Sequence, residues 1–176
     1  MRGWRPIVAL WVVAIAVAAV VAMRHVSHAA AAPPASTPRV GAELPHLAAD
    51  TLEGSLVRIR GLRGHPVWIN FFASWCPPCN AEMPKIVERS KLLRTRGLIV
   101  LGLDQQENPA LVRRFMALYG IRFPVFIDPG SIAQRFGVTG LPVSVFVDRG
   151  GTIRAIRYGE LDASTMDGDL VAIVGS

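Results

Sequence analysis

Cysteine is scarce in this sequence, with two residues in 176. A structural zinc site takes about four ligands, and no second cysteine pair or paired histidine is present to complete one. The histidines, His25, His28, His46 and His65, are scattered, and each reads as an exposed or capping residue. Cys76 and Cys79 stand three positions apart. A disulfide across so short a stretch restrains the unfolded chain very little. The pair therefore points to chemistry and not to cross-linking. Charge is also sparse, at 18% of residues. The formal net charge is +6, and setting aside Arg2, Arg5 and Arg24 leaves 16 basic residues against 13 acidic. There is no basic stripe and no aromatic interleaving, so no nucleic-acid partner is read. Internal repeats are absent, and no motif asks for a cofactor or a metal.

One long apolar run is present. Residues 7–23 carry no charge and no turn former, with Arg2 and Arg5 before them and Arg24 after. Seventeen residues lie at the short end of what spans a bilayer as a helix. The basic flank keeps the first residues in the cytoplasm and sends the rest outward. Residues 1–28 are thus read as an uncleaved transmembrane anchor. A signal segment cut near Ser27, His28 and Ala29 is the alternative. Both place the remainder of the chain on the outer side of the cytoplasmic membrane, the anchor as a single pass. Residues 29–40, rich in Pro and Ala, form a spacer. The folded domain then occupies residues 41–176.

Within it, apolar runs alternate with amphipathic stretches. Residues 56–59 alternate like an edge strand, after a turn at Glu53 and Gly54. Residues 67–72 are apolar on both faces, as a central strand is. A helix runs from the cysteines to about Thr95 and stops at Gly97. Residues 98–103 form the next buried strand, parallel to the first, and residues 109–119 a helix. A short strand at 124–127 and a short helix at 131–136 come next. Strands at 143–147 and 152–157 make a closing hairpin, and residues 163–174 a terminal helix. The order is that of an α/β domain with a mixed sheet.

The stretch Trp75-Cys76-Pro77-Pro78-Cys79 lies where a buried strand ends and a helix begins. A helix N-terminus offers free amides and partial positive charge, which stabilise a thiolate. Cys76, nearer the loop, is expected to be exposed and to attack first. Cys79, one turn in, is expected to be buried and to resolve the mixed disulfide. Pro77 and Pro78 have no N–H, so Cys76 faces fewer donors than a Gly-Pro linker would give. A less stabilised thiolate makes a weaker oxidant, which leans toward a reductase.

Residues 71–84, Phe-Phe-Ala-Ser-Trp-Cys-Pro-Pro-Cys-Asn-Ala-Glu-Met-Pro, resemble the active-site stretch of the TlpA/ResA/CcmG group of membrane-tethered, thioredoxin-like proteins. Gly61-Leu62-Arg63-Gly64-His65-Pro66 resembles the group's lead-in to the first core strand. Gly137-Val138-Thr139-Gly140-Leu141-Pro142 resembles its cis-proline loop. The resemblance implies a thioredoxin-like fold with a mixed central sheet flanked by helices, an N-terminal β-hairpin extension and a preceding transmembrane helix. It implies Cys76 as nucleophile, Cys79 as resolving thiol, and Pro142 after a cis bond. Leu141 and Trp75 would meet the incoming client, and Glu82 would handle protons near the cysteines. Asn70 stands where cytoplasmic thioredoxins carry a buried acid, and reads equally as a core amide or as a participant. The sequence departs from the group at Trp68, Phe72, Val143 and Ser144.

The resemblance implies an extracytoplasmic thiol–disulfide oxidoreductase. A membrane thiol-electron transporter would reduce it, and it would reduce client protein disulfides, in apocytochrome c or a copper-site protein. A disulfide-forming oxidase is the enzymatic alternative. A peroxidase is a further one, although its lone nucleophilic cysteine would stand in a different context. A non-catalytic assembly module is the alternative of another class.

Overall fold

The computed structural model describes residues 37–59 and 62–175. The anchor or signal segment, most of the spacer and Gly61 lie outside the described residues. Among the described residues no helix is long and apolar enough to cross a membrane.

The strands are β1 (Leu47–Asp50), β2 (Leu56–Ile59), β3 (Val67–Phe72), β4 (Ile99–Gln105), β5 (Val125–Asp128), β6 (Val143–Val147) and β7 (Ile153–Tyr158). The helices are α1 (Pro77–Leu93), α2 (Pro109–Tyr119), α3 (Ser131–Arg135) and α4 (Ala163–Val174). The described strands form one sheet in the order β2-β1-β5-β4-β3-β6-β7. β4 runs parallel to both β3 and β5, whereas β6, β7, β1 and β2 pair antiparallel. This is the thioredoxin-like α/β arrangement with a mixed sheet, and β1–β2 is the hairpin extension. β1 itself left no mark in the sequence, because Leu-Ala-Ala-Asp has weak strand propensity.

Alternation along β3 divides the core. Trp68 and Phe72 join one apolar cluster with Met83 and Ile86 of α1, Phe115 of α2 and Leu170 of α4. Ile69 and Phe71 join the other, with Ile132 and Phe136 near α3. Asn70 falls between Trp68 and Phe72, so its side chain shares their face, toward α1. Trp68 stacks on Phe146 with centroids 5.2 Å apart, and Phe72 on Phe115 at the same separation.

Helix α1 begins at Cys76, whose side chain caps it, with prolines in its first positions. It runs through Pro84, continues as a 3-10 turn over Arg94–Arg96, and ends at Gly97 with φ 85°. α2 starts behind the Asn108 cap and ends at Gly120. The strand expected to end at residue 103 continues through Asp104 and Gln105, which pair with Ile127 and Asp128. Two polar residues look like a turn in the sequence, but pairing of Asp104 with both β3 and β5, and of Gln105 with β5, keeps them in the ladder.

Gly102 of β4 leaves room for these rings. A Cβ there would stand 3.0 Å from both Phe72 Cε1 and Val125 Cγ2. Gly102→Ala is expected to destabilise the domain by about 1–3 kcal/mol through overpacking. A thermal melt beside the parent protein checks this, and an unchanged midpoint would refute it.

Candidate active site

Ala73, Ser74 and Trp75 carry the chain from β3 into α1. Cys76 N–H donates to the Ala73 carbonyl at 3.2 Å, which folds the turn. Cys76 and Cys79 are joined by a disulfide with an S–S distance of 2.05 Å. Cys76 Sγ also accepts the Cys79 backbone N–H at 3.2 Å. That amide is the first N–H of the helix, since Pro77 and Pro78 have none. Trp75 projects outward, 67% exposed, beside the pair.

The exposure expected of Cys76 is not found: both cysteines are buried in the disulfide. Cys76 is 3% exposed and Cys79 0%. Capping turns the Cys76 sulfur inward over the first turn of α1, and in the disulfide it packs into the apolar cluster with Phe72 and Met83.

Glu82 lies three positions after Cys79 on the same helical face, and it is 0% exposed. This excludes a surface role. Asn70 Nδ2 donates to Glu82 Oε1 at 2.9 Å, and the Leu161 N–H donates to Oε2 at 3.1 Å. Burial pushes the Glu82 carboxyl up from its ordinary value, against the pull of the Leu161 and Asn70 hydrogen bonds. Asn70 thus belongs to the site through Glu82. Its Oδ1 is buried without a partner among the described residues. Two departures from the group pattern account for each other: Trp68 Nε1 donates to Ser144 Oγ at 2.9 Å. Ser144 Oγ in turn accepts from Asn70 Nδ2 at 3.2 Å.

The Leu141–Pro142 peptide is cis. Pro142 is buried and its carbonyl accepts the Gly159 N–H at 2.9 Å. Leu141, half-buried, packs against the cluster that contains both cysteines. The fold therefore gathers Cys76, Cys79 and Leu141 on one apolar cluster, with Glu82 one helical turn beyond Cys79 and Trp75 exposed beside the pair.

The sequence reading missed a second acidic group. Glu107 accepts hydrogen bonds from both the Ser74 N–H and the Ser74 hydroxyl. Behind it lies Asp104, 0% exposed, whose Oδ1 accepts the Glu107 N–H at 2.9 Å. Burial, and then the hydrogen bond with the Glu107 side chain, push the Asp104 carboxyl up to about 8. Burial also pushes Glu107 up, but hydrogen bonds from Asp104 and Ser74 hold it below the usual range. The available signal was an acid at the carboxyl end of a buried strand, where α/β sheets place their sites.

A cysteine pair on a helix N-terminus, an adjacent buried carboxyl and an apolar rim can carry out thiol–disulfide exchange. A family model described as the AhpC/TSA family matches residues 40–156. The chain belongs to the AhpC/TSA family. This AhpC/TSA protein is 34% identical over 136 residues to the thiol-disulfide oxidoreductase ResA of Bacillus thuringiensis strain Al Hakam, a match covering 77% of this chain and 79% of that one. It is 30% identical over 125 residues to ResA of Halalkalibacterium halodurans, covering 70% and 71%. Among solved structures it is similar to a thiol:disulfide interchange protein, a thioredoxin family protein from Chlorobium tepidum TLS. That likeness has a TM-score of 0.69 at 26% identity, covering 78% of this chain and 99% of that chain. The protein is a thiol–disulfide oxidoreductase of the ResA and DsbE type on a thioredoxin-like fold.

Proposed function

We propose that this oxidoreductase reduces disulfides of client proteins outside the cytoplasm, held at the outer face of the cytoplasmic membrane by residues 1–28. The observation that carries the reading is the donor poverty at Cys76, whose sulfur accepts the Cys79 N–H while Pro77 and Pro78 add nothing. A thiolate with so few donors gains little from being released, so the reduced pair gives up its electrons readily.

The cycle starts from the dithiol, formed when a membrane thiol-electron transporter gives two electrons to the Cys76–Cys79 disulfide. The Cys76 thiolate attacks one sulfur of the client disulfide, and the other client sulfur leaves as thiolate and takes up a proton. Cys79 loses its proton to Glu82 and attacks Cys76 Sγ. This expels the second client sulfur as a thiolate, which takes up the proton held by Glu82, and restores the Cys76–Cys79 disulfide. Glu82 suits the step because burial lifts its carboxyl toward working pH. Trp75 and Leu141 offer an apolar seat for the client, and the backbone before Pro142 pairs with its chain. A haem-attachment Cys-x-x-Cys of an apocytochrome c, or the thiol pair of a copper-site protein, has the required closely spaced sulfurs.

The purified full-length protein, kept reduced with dithiothreitol, is expected to speed insulin reduction at least about tenfold over dithiothreitol alone, because Cys79 resolves the mixed disulfide intramolecularly. A rate equal to the background would sink the reading and leave a binding module.

A further inference from the structure

Ser74, two positions before Cys76, has every polar group occupied. Its N–H and hydroxyl both donate to the Glu107 carboxylate. Its carbonyl accepts from Asn80 Nδ2 at 3.2 Å. Glu107 comes from the turn between β4 and α2, the segment that ends at the Asn108 cap. In that turn Gln106 adopts a φ of 63°, a left-handed conformation that a glutamine enters only at a cost. The cost is met where it leads the chain from Asp104 back to Glu107 within hydrogen-bond reach. Asp104 Oδ2 is buried with no donor facing it among the described residues. Burial disfavours a charge on such a carboxyl, and the neighbouring Glu107 carboxylate disfavours it further, so Asp104 holds its proton up to about pH 8.

We propose that Asp104 and Glu107 form a proton-sharing clamp that positions the Ser74–Cys76 turn, and so the attacking sulfur, for thiol–disulfide exchange. Neither touches a client; both are positioning residues acting through Ser74. The proposal deepens the function above and rests on Cys76 as the attacking thiol. When Asp104 carries the proton, its O–H donates to Glu107 and leaves the Glu107 charge for Ser74. When that proton is lost, two negative carboxylates face each other in a buried site and the clamp loosens.

The surroundings leave the pair to itself. β3 contributes apolar Phe72 opposite Asp104, and β5 contributes Ile127. Asp128 of β5 is engaged by the N–H groups of Gly130, Ile132 and Ala133 and by Gln105. From α2, Arg113 is paired with Glu53 and Arg114 is exposed. Besides the capping Cys76, α1 carries Cys79, Glu82 held by Asn70 and Leu161, Lys85 paired with Glu160, Arg89 paired with Glu88 and Asp167, and exposed Lys91.

The test is the rate of iodoacetamide labelling of the reduced full-length protein from pH 6 to pH 10, with labelled peptides identified by mass. The unmodified protein should label at Cys76, its rate climbing as the thiol ionises but showing a loss relative to a simple thiol titration above about pH 8, where Asp104 ionises. Asp104→Asn gives Glu107 a permanent N–H donor, so its profile should lack that loss. Glu107→Gln cannot accept both Ser74 donors, and should label about tenfold more slowly at pH 7, since small displacements of a reacting atom are costly. Ser74→Ala removes one donor and should fall in the same direction, which keeps the test open if Asp104→Asn does not fold. Infrared difference spectra of the unmodified protein should lose a carboxylic acid band near pH 8 that Asp104→Asn lacks. Labelling at Cys76 with superimposable profiles in all variants overturns the clamp. Labelling at Cys79 overturns the assignment of Cys76 and the clamp's role with it.

Discussion

Cys79→Ser is expected to stop turnover while leaving Cys76 able to attack. The disulfide shows that the two sulfurs reach each other within one turn of α1. In the mixed disulfide Cys79 is therefore an intramolecular nucleophile. Well-placed groups of this kind act at effective molarities of about 10⁵–10⁸ M. Millimolar external thiol cannot replace that, so steady-state reduction should fall by at least about a thousandfold. The client should remain attached through Cys76, visible as a higher-mass band that dithiothreitol releases. Cys76→Ser should also lose activity but capture nothing. Capture by Cys76→Ser and not by Cys79→Ser would reverse the two roles.

Glu82→Ala carries the second large effect. It removes the acceptor of both the Leu161 N–H and the Asn70 amide inside a buried site. Each unsatisfied donor costs about 1–3 kcal/mol, so a loss of about 3 kcal/mol or more is expected. Glu82→Gln is the informative companion. If the Asn70 amide turns, its partnerless Oδ1 can accept from the new amide. The fold should survive, and what is lost is the proton acceptor for Cys79. Resolution of the mixed disulfide should slow by about 10²-fold or more, the usual contribution of a general base, while its formation does not.

The pH dependence of stability is set by the direction of the Glu82 shift. The pKa is raised above 4.5 on folding. Its contribution to stability is therefore fully present below about 4.5 and is lost as pH rises through the folded value. Glu82→Gln does not titrate. The unmodified protein should thus lose stability relative to this variant as pH climbs from 4.5 upward. Denaturant melts at several pH values check this; a difference that stays constant would assign Glu82 no shift.

The parts of the fold that were legible obey one rule each. The all-apolar run of β3 is a strand buried on both faces, and the spacing of α2 and its Pro and Gly borders mark its ends. The Cys-Pro-Pro-Cys run signals a helix N-terminus by its prolines alone. β1 was not legible, because its four residues owe their strand geometry to pairing with β2 and to Ile127 of β5. Glu82 was legible as a candidate through the family resemblance, but its burial and its bond to Leu161, 79 residues away, were not. Asp104 carried one signal, its place at the carboxyl end of a buried strand, but its link to Glu107 and Ser74 was illegible for the same reason. Their partner Ser74 lies 33 residues before Glu107, and no local pattern joins them.

The most direct measurement is the reduction potential of the Cys76–Cys79 pair in the full-length protein, obtained by equilibration with a reference dithiol at pH 7. A client reductase with a donor-poor Cys76 should fall near the thioredoxin value of about −270 mV, and a value near about −120 mV, that of a strong oxidant, would contradict the account.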